Sequence, residues 1–244
     1  YPEYPTTWGA PQFKDRMLND KATVAAKLDQ VGAVLVAKLA LGALAMGDKW
    51  YGGPTKNPWN PTQGSSGSSA GSASATAAGC VGFSLGSETL GSIMSPSRRC
   101  GVTGLRPTFG RVSRQGCMSL SWSMDKLGPI CRSAEDCALV FQAIHGADGL
   151  DPAAVDRPFH WPVKVAQKRI SVGYVDDGRK LVDREVLQVF KDRGCKLVEI
   201  QLPSKLPTWP LTNILFAEAA AQFDPLTRAG VEEGLNSWPG LFRR

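Results

Sequence analysis

Serine is the residue best placed to do chemistry in this chain, and it is concentrated in two stretches. They are "GSSGSSAGSASATAAG", Gly64 to Gly79, and "GSETLGSIMSP", Gly86 to Pro96. A serine hydroxyl becomes a useful nucleophile only when a base takes its proton and nearby amides hold the resulting oxyanion. The first stretch contains "GSSAG", Gly67 to Gly71, which matches G-x-S-x-G and would make Ser69 a nucleophile. That reading needs a strand directly before the turn and a histidine later in the chain. What precedes it is "NPWNPTQ", too rich in proline for a strand, and the only histidines are His145 and His160. His145 falls in the last turn of a helix, where a structural cation suffices, and His160 in a proline-rich loop. A histidine-dependent triad is therefore not expected, and no G-x-x-x-x-G-K-[ST] loop is present to cradle phosphate.

In the second stretch a Gly-Ser turn follows the apolar "CVGFSL". Such a turn can aim successive N–H groups into one concavity, a nest suited to a developing oxyanion. Taken alone, it is better explained as a plain strand-to-helix turn.

The surrounding composition narrows the field. The chain has 244 residues, 43% hydrophobic and 20% charged, which suits one large globular domain or two small ones. Its formal charge is +6, but the basic residues are scattered and no aromatic stripe alternates with them, so nucleic acid is not the expected partner. Six cysteines form no C-x-x-C pair, and two histidines are too few for a zinc site; no metal and no cofactor is expected. A reduced, cytoplasmic protein fits this cysteine usage. The apolar run "VGAVLVAKLALGALAM" is interrupted by Lys38 and too short to span a membrane. Both ends read as cut, since the chain opens mid-pattern at "YPEYPTTWGAP" and stops at "LNSWPGLFRR" without closing one.

These residues must be positioned by regular elements. "KATVAAKLDQVG" reads as a helix capped by Asn19 or Asp20, with Val24, Leu28 and Val31 on one face and Gly32 as its stop. "AVLVAK" reads as a buried strand. The serine stretch is Gly/Ser-rich like a linker, but residues 69–79 favour helix, "CVGFSLGS" a buried strand and "ETLGSIMSPSRRC" an irregular turn. "SAEDCALVFQAIHGADG" is a helix capped by Ser133, with Glu135 and Asp136 at its positive end. "RISVGYV", "DREVLQVFKDRG" and "CKLVEIQL" then alternate strand, helix, strand. The alternation predicts an α/β protein with a largely parallel sheet.

Together the two serine stretches resemble the amidase signature family, continuously from Gly67 to Gly116. The family pattern is a Gly-Ser-Ser loop, a small-residue helix, a strand, G-T-x-x-G-G-S and an "xGLKPTxGRVS" tail, here "GLRPTFGRVSRQG", Gly104 to Gly116. "DKATVAAKLDQVGAVLVAKLAL" and "MDKLGPICRSAEDCALVFQAIHGADGLDP" extend the likeness on either side. The resemblance implies a single domain over 1–244, incomplete at both ends, with its signature core at about 64–116. The implied fold is an α/β/α sandwich whose central mixed, mostly parallel sheet is flanked by helices.

The resemblance also assigns roles. Ser92, ending the G-G-S match, is the implied nucleophile, and Ser68, 24 positions earlier on an implied cis peptide, the proton relay. The backbone N–H groups of Thr89, Leu90, Gly91 and Ser92 form the implied oxyanion hole. Gly67, Ala70, Gly71 and Ala73 are expected to let the loop fold tightly and the following helix pack behind it. Leu90 replaces a family glycine, which is tolerable if its φ stays below zero, because only its backbone is used. The third member of the Ser-cisSer-Lys triad is a buried neutral lysine whose pKa burial lowers. Lys38 matches a different family lysine, and Lys14 stands too close to Ser68. The catalytic lysine is thus expected upstream of Tyr1 rather than in this sequence. The implied activity is hydrolysis of a small-molecule carboxylic amide, or a related ester or carbamate, with no metal or membrane and with a homodimer allowed. The alternatives are the A subunit of a tRNA-dependent glutamine amidotransferase and a non-catalytic binding remnant.

Overall fold

Small residues dictate how the elements around the serines come together. The computed structural model describes residues 1–163, 170–176, 183–203, 207–238 and 240–243, divided between two compact units. The first unit comprises Tyr1–Phe159 and Thr212–Arg244, and the second His160–Leu211.

In the first unit, helix α1 (Thr23–Gln30) starts from Ala22, with no side-chain cap from Asn19 or Asp20. Its opening amide is satisfied instead across the fold, Thr23 N–H donating to the Gln115 carbonyl at 3.1 Å. The expected strand at "AVLVAK" is absent. Residues 33–38 carry no regular structure, no strand among the described residues pairs with them, and Val34 and Val36 are 83% and 70% exposed. An apolar run becomes a strand only where a neighbour takes its N–H and C=O groups.

Two short hairpins follow: β1 (Lys49–Trp50) with β2 (Gly53–Pro54), and β3 (Lys56–Asn57) with β4 (Asn60–Gly64). Strand β4 corrects the expectation that "NPWNPTQ" would tolerate none. It belongs to a two-stranded ribbon, where Pro61 can face away from the single partner. Helix α2 (Ala70–Ala77) then buries Ala70, Gly71, Ser72, Ala73 and Thr76. It is drawn close on two sides, because a Cβ on Gly71 would lie 2.6 Å from the Ala40 carbonyl and one on Gly86 2.7 Å from Ser69 Oγ.

Strand β5 (Phe83–Glu88) pairs antiparallel with β7 (Lys126–Cys131), from Phe83 opposite Cys131 to Glu88 opposite Lys126. Strand β6 (Thr103–Gly104) pairs antiparallel with the far side of β7. Between β5 and β6 the chain forms helix α3 (Met94–Cys100), where an irregular turn was expected. Pro96 sits in its first turn, where a missing N–H costs nothing, and Gly101 closes it at φ 68°. Helix α4 (Ala134–Ile144) begins as expected: Ser133 Oγ accepts from the Asp136 N–H at 3.0 Å. Among the described residues this unit also holds helix α6 (Leu211–Gln222), from its second residue on, and helix α7 (Asp224–Arg228), with short 3-10 turns. Phe223 and Trp238 pack there with Leu44 and Leu120.

The second unit contains strand β8 (Ser171–Tyr174), helix α5 (Arg184–Asp192) and strand β9 (Lys196–Glu199), at the three places expected. Strands β8 and β9 run parallel, as a strand–helix–strand crossover requires. The protein is therefore α/β. Among the described strands the parallel pairing is β8–β9, while the three-stranded sheet beside the serines is antiparallel. No helix among the described residues is long and apolar enough to cross a membrane.

Candidate active site

The fold brings the two serine stretches into direct contact. The Ser69 N–H donates to the Ser92 carbonyl at 3.1 Å, joining the residue after Ser68 to Ser92 itself. Ser68 is buried, its carbonyl accepts from the Gly42 N–H at 3.0 Å, and the Gly67–Ser68 peptide is cis. Gly67 is required at this bend, since a Cβ there would lie 1.8 Å from the Gly47 carbonyl. Ser69, the G-x-S-x-G candidate, is committed to β5: its Oγ donates to the Ser87 carbonyl at 3.1 Å and accepts from the Ser87 N–H at 3.2 Å. Ser66 and Ser95 share a hydroxyl–hydroxyl bond of 2.7 Å, a second tie between the two loops. A cleft of about 300 Å³ opens beside this loop, lined by Gly47, Asp48, Gly64, Ser66, Gly67 and Arg99.

Ser92 is half-buried on the turn between β5 and α3. Gly91 takes φ 93°, a conformation only glycine adopts cheaply, whereas Leu90 keeps φ below zero. The Leu90 side chain is 68% exposed, so its replacement of a glycine leaves the backbone path intact. The Gly91 carbonyl accepts the Ser95 N–H at 2.7 Å, which begins the winding of α3 immediately behind Ser92.

Glu88 anchors this turn. It is 1% exposed, and its Oε2 accepts the N–H groups of Ile93 (2.7 Å) and Met94 (2.9 Å). Its Oε1 faces the Arg106 guanidinium at 3.3 Å. Burial opposes the Glu88 charge, but the amides of Met94, Ile93 and Gly91, with Arg106, outweigh it and hold the carboxyl below its usual range. That carboxylate takes the place of a side-chain cap on α3, which explains a helix where no capping residue stands in sequence. Next to it, Thr89 Oγ1 donates to Asp125 Oδ1 at 2.5 Å, and the Lys126 ammonium donates to the Thr89 carbonyl at 3.0 Å.

Glu88, Asp125, Lys126 and Arg106 were not singled out from sequence. Their signals were present, with Glu88 inside "GSETLGS", Arg106 inside "GLRPT" and Asp125 opening the "DKLGP" stretch. The rest of the tail is a fastening. Arg114 reaches Asp151 through Nε (2.8 Å) and a second guanidinium nitrogen (2.8 Å), and Ser113 Oγ bonds Asp148.

Neither lysine weighed from sequence points at Ser68. The Lys38 ammonium donates to Thr6 Oγ1 at 2.7 Å, and burial, then Arg16, lower its pKa. Lys14 lies 4.0 Å from Asp15 on the surface. His145 Nδ1 lies 3.0 Å from the Gln142 carbonyl, and its ring packs on Phe141 and Phe159.

The family model Amidase matches residues 1–238. The A subunit of glutamyl-tRNA(Gln) amidotransferase from Moorella thermoacetica is 37% identical, the match covering 94% of this chain and 50% of that protein. The protein of the same name from Geobacter metallireducens is 40% identical over 74% of this chain and 40% of its own length. Among solved structures, the A subunit of glutamyl-tRNA(Gln) amidotransferase from Thermotoga maritima superposes with a TM-score of 0.82 at 29% identity, covering all of this chain and 55% of that one. The native peptide amidase of Stenotrophomonas maltophilia gives 0.79 at 28% identity, covering 92% of this chain and 51% of that one. The chain thus spans about half the length of the relatives it matches.

Proposed function

The chain belongs to the amidase family, and from that premise we propose that it carries the nucleophilic half of a serine amidohydrolase site. The observation that carries this reading is the 3.1 Å bond from Ser69 N–H to the Ser92 carbonyl. It joins the two loops whose serines the family pattern makes relay and nucleophile. In the proposed reaction Ser68 takes the proton of Ser92 Oγ as that oxygen attacks an amide carbonyl. The carbonyl oxygen becomes an oxyanion received by the backbone of Thr89, Leu90, Gly91 and Ser92. The amine departs with a proton returned through Ser68, and water then releases the acyl group from Ser92.

Ser68 must pass its proton to a base. Lys38 and Lys14 are engaged elsewhere, by Thr6 and Asp15. The base this reading requires is a lysine of the kind the family pattern places ahead of the position of Tyr1. The substrate is a small carboxylic amide, with ester or carbamate as related leaving-group chemistry.

The test is covalent labelling by a serine-directed fluorophosphonate, made on protein that includes the lysine-bearing segment, with the labelled peptide identified by mass spectrometry. Label on the Ser92 peptide that disappears in Ser92→Ala supports the reading; label elsewhere, or label that survives the substitution, overturns it.

A second reading rests on the relatives named as A subunits of glutamyl-tRNA(Gln) amidotransferase, at 37% and 40% identity. In that reading the same serines release ammonia from glutamine, for use by partner subunits on tRNA. Glutaminase activity that appears only with partner subunits present favours it; hydrolysis of simple amides without partners favours the first.

A further inference from the structure

Thr89 is held from two directions by consecutive residues of one strand end. Its hydroxyl donates to Asp125 Oδ1 at 2.5 Å, and its carbonyl accepts from the Lys126 ammonium at 3.0 Å. Asp125 is itself fixed, because its Oδ2 accepts the N–H groups of Leu120 (2.8 Å) and Ser121 (3.0 Å). Lys126 is fixed by the ladder, lying directly opposite Glu88 in the β5–β7 pair. Neither contact touches Ser92 or Ser68, and the proposed proton route uses neither.

The planarity of the peptide bond gives these contacts a consequence. The Thr89 carbonyl and the Leu90 N–H belong to one rigid unit. The Thr89–Leu90 bond is not among the cis peptides, so its C=O and N–H point in opposite directions. Holding the carbonyl from behind therefore fixes where the Leu90 N–H points in front. The Lys126 ammonium donating to the carbonyl oxygen also polarises the unit, which strengthens that N–H as a donor. Leu90 needs such a hold, since its own side chain is mostly solvent-exposed and gives the turn little packing.

We propose that Lys126 is a positioning residue for the oxyanion hole, holding the Thr89–Leu90 peptide so that the Leu90 N–H faces the acyl oxygen. The proposal rests on the serine-hydrolase reading and adds to it a residue that acts through the backbone. Lys126 is half-buried; burial, then Arg106, lower the pKa of its ammonium from the ordinary lysine value, against the opposing pull of Glu88 and Asp125.

The sequence supplies a specific probe, because Thr89–Leu90 is its only Thr-Leu pair. Labelling threonine with carbonyl ¹³C and leucine with ¹⁵N gives a single cross-peak, the Leu90 amide. In Lys126→Met that peak should move upfield as its donor strength falls. The second-order rate of fluorophosphonate labelling at Ser92 should drop roughly tenfold, less than the 10²–10³ lost with a direct oxyanion donor. Lys126→Arg should recover most of both changes. If Lys126→Met does not fold, Lys126→Gln is read the same way. An unmoved Leu90 peak in the folded variant overturns the proposal, as does a moved peak with an unchanged labelling rate. If the unsubstituted protein does not label at Ser92, the serine-hydrolase reading has failed. The Leu90 peak still decides whether Lys126 holds that peptide: movement supports the hold and no movement overturns it.

Discussion

At the residue scale, the backbone around Ser92 does more than its neighbouring side chains. Leu90 keeps negative φ with an exposed side chain, so Leu90→Gly should change the labelling rate at Ser92 by less than about threefold. Its stability should fall by about 0.4–1 kcal/mol in urea titrations, because glycine enlarges the unfolded ensemble. Gly91 is the opposite case. At φ 93° a side chain is strained even though a Cβ there would meet nothing within 4 Å. Gly91→Ala should cost about 1–2 kcal/mol and slow labelling far more than Leu90→Gly does. Ser68→Ala removes the proposed relay and should lower the labelling rate by roughly 10²–10⁴, the usual span for a general acid–base group. Equal rates in Ser68→Ala and the unsubstituted protein would dismiss that role.

At the element scale, the serine loops are held by small residues and one buried carboxylate. Helix α2 lies against the residue 40 backbone because Gly71 has no Cβ, and Gly71 N–H donates to the Ala40 carbonyl at 2.8 Å. Gly71→Ala should therefore destabilise the fold by about 1–3 kcal/mol, visible as a lower urea midpoint at unchanged slope. Helix α3 depends on Glu88 for its first amides. Because the Glu88 pKa is lowered on folding, its contribution is present above the ordinary carboxylate pKa and lost as pH falls through the folded value. The arrangement was only partly legible beforehand. "SAEDCALVFQAIHG" carries its cap at Ser133, within reach of the helix it starts. The cap of α3 comes from the end of the preceding strand and crosses a turn to arrive, so local pattern gave no sign of it.

At the scale of the whole molecule, Arg114 and Asp151 join the "GRVS" tail to the segment after α4. The bidentate Arg114 contact, with amides of Arg114 and Ala153, lowers the Asp151 carboxyl from 3.8 to about 2 against the cost of burial. Protonating it in the folded state is therefore harder than in the unfolded chain. The resulting stabilisation, about 2 kcal/mol, is full above the unfolded pKa and disappears as pH falls from about 4 to 2. Unfolding free energy measured across that window should drop steeply, and Asp151→Asn should flatten the slope. An unchanged slope in Asp151→Asn would remove Asp151 from the acid response.

Local pattern was enough to give the α/β class, the places of α1, α2, β5, α4, β8, α5 and β9, and the family. Each of these rests on periodicity, capping or ordered motifs, which act between residues near one another in the chain. The resemblance to the family pattern also pointed to Ser68 and Ser92 as the proposed relay and nucleophile. Only in the folded chain is it clear that residues 33–38 find no strand partner among the described residues, and that "ETLGSIMSPSRRC" contains a helix. Tertiary structure alone brought Glu88, Arg106, Asp125 and Lys126 around the turn that carries Ser92. The reason is physical: strand pairing, a cap supplied by another element and a buried charge all depend on groups distant in sequence. Their partners are known only once the chain has folded.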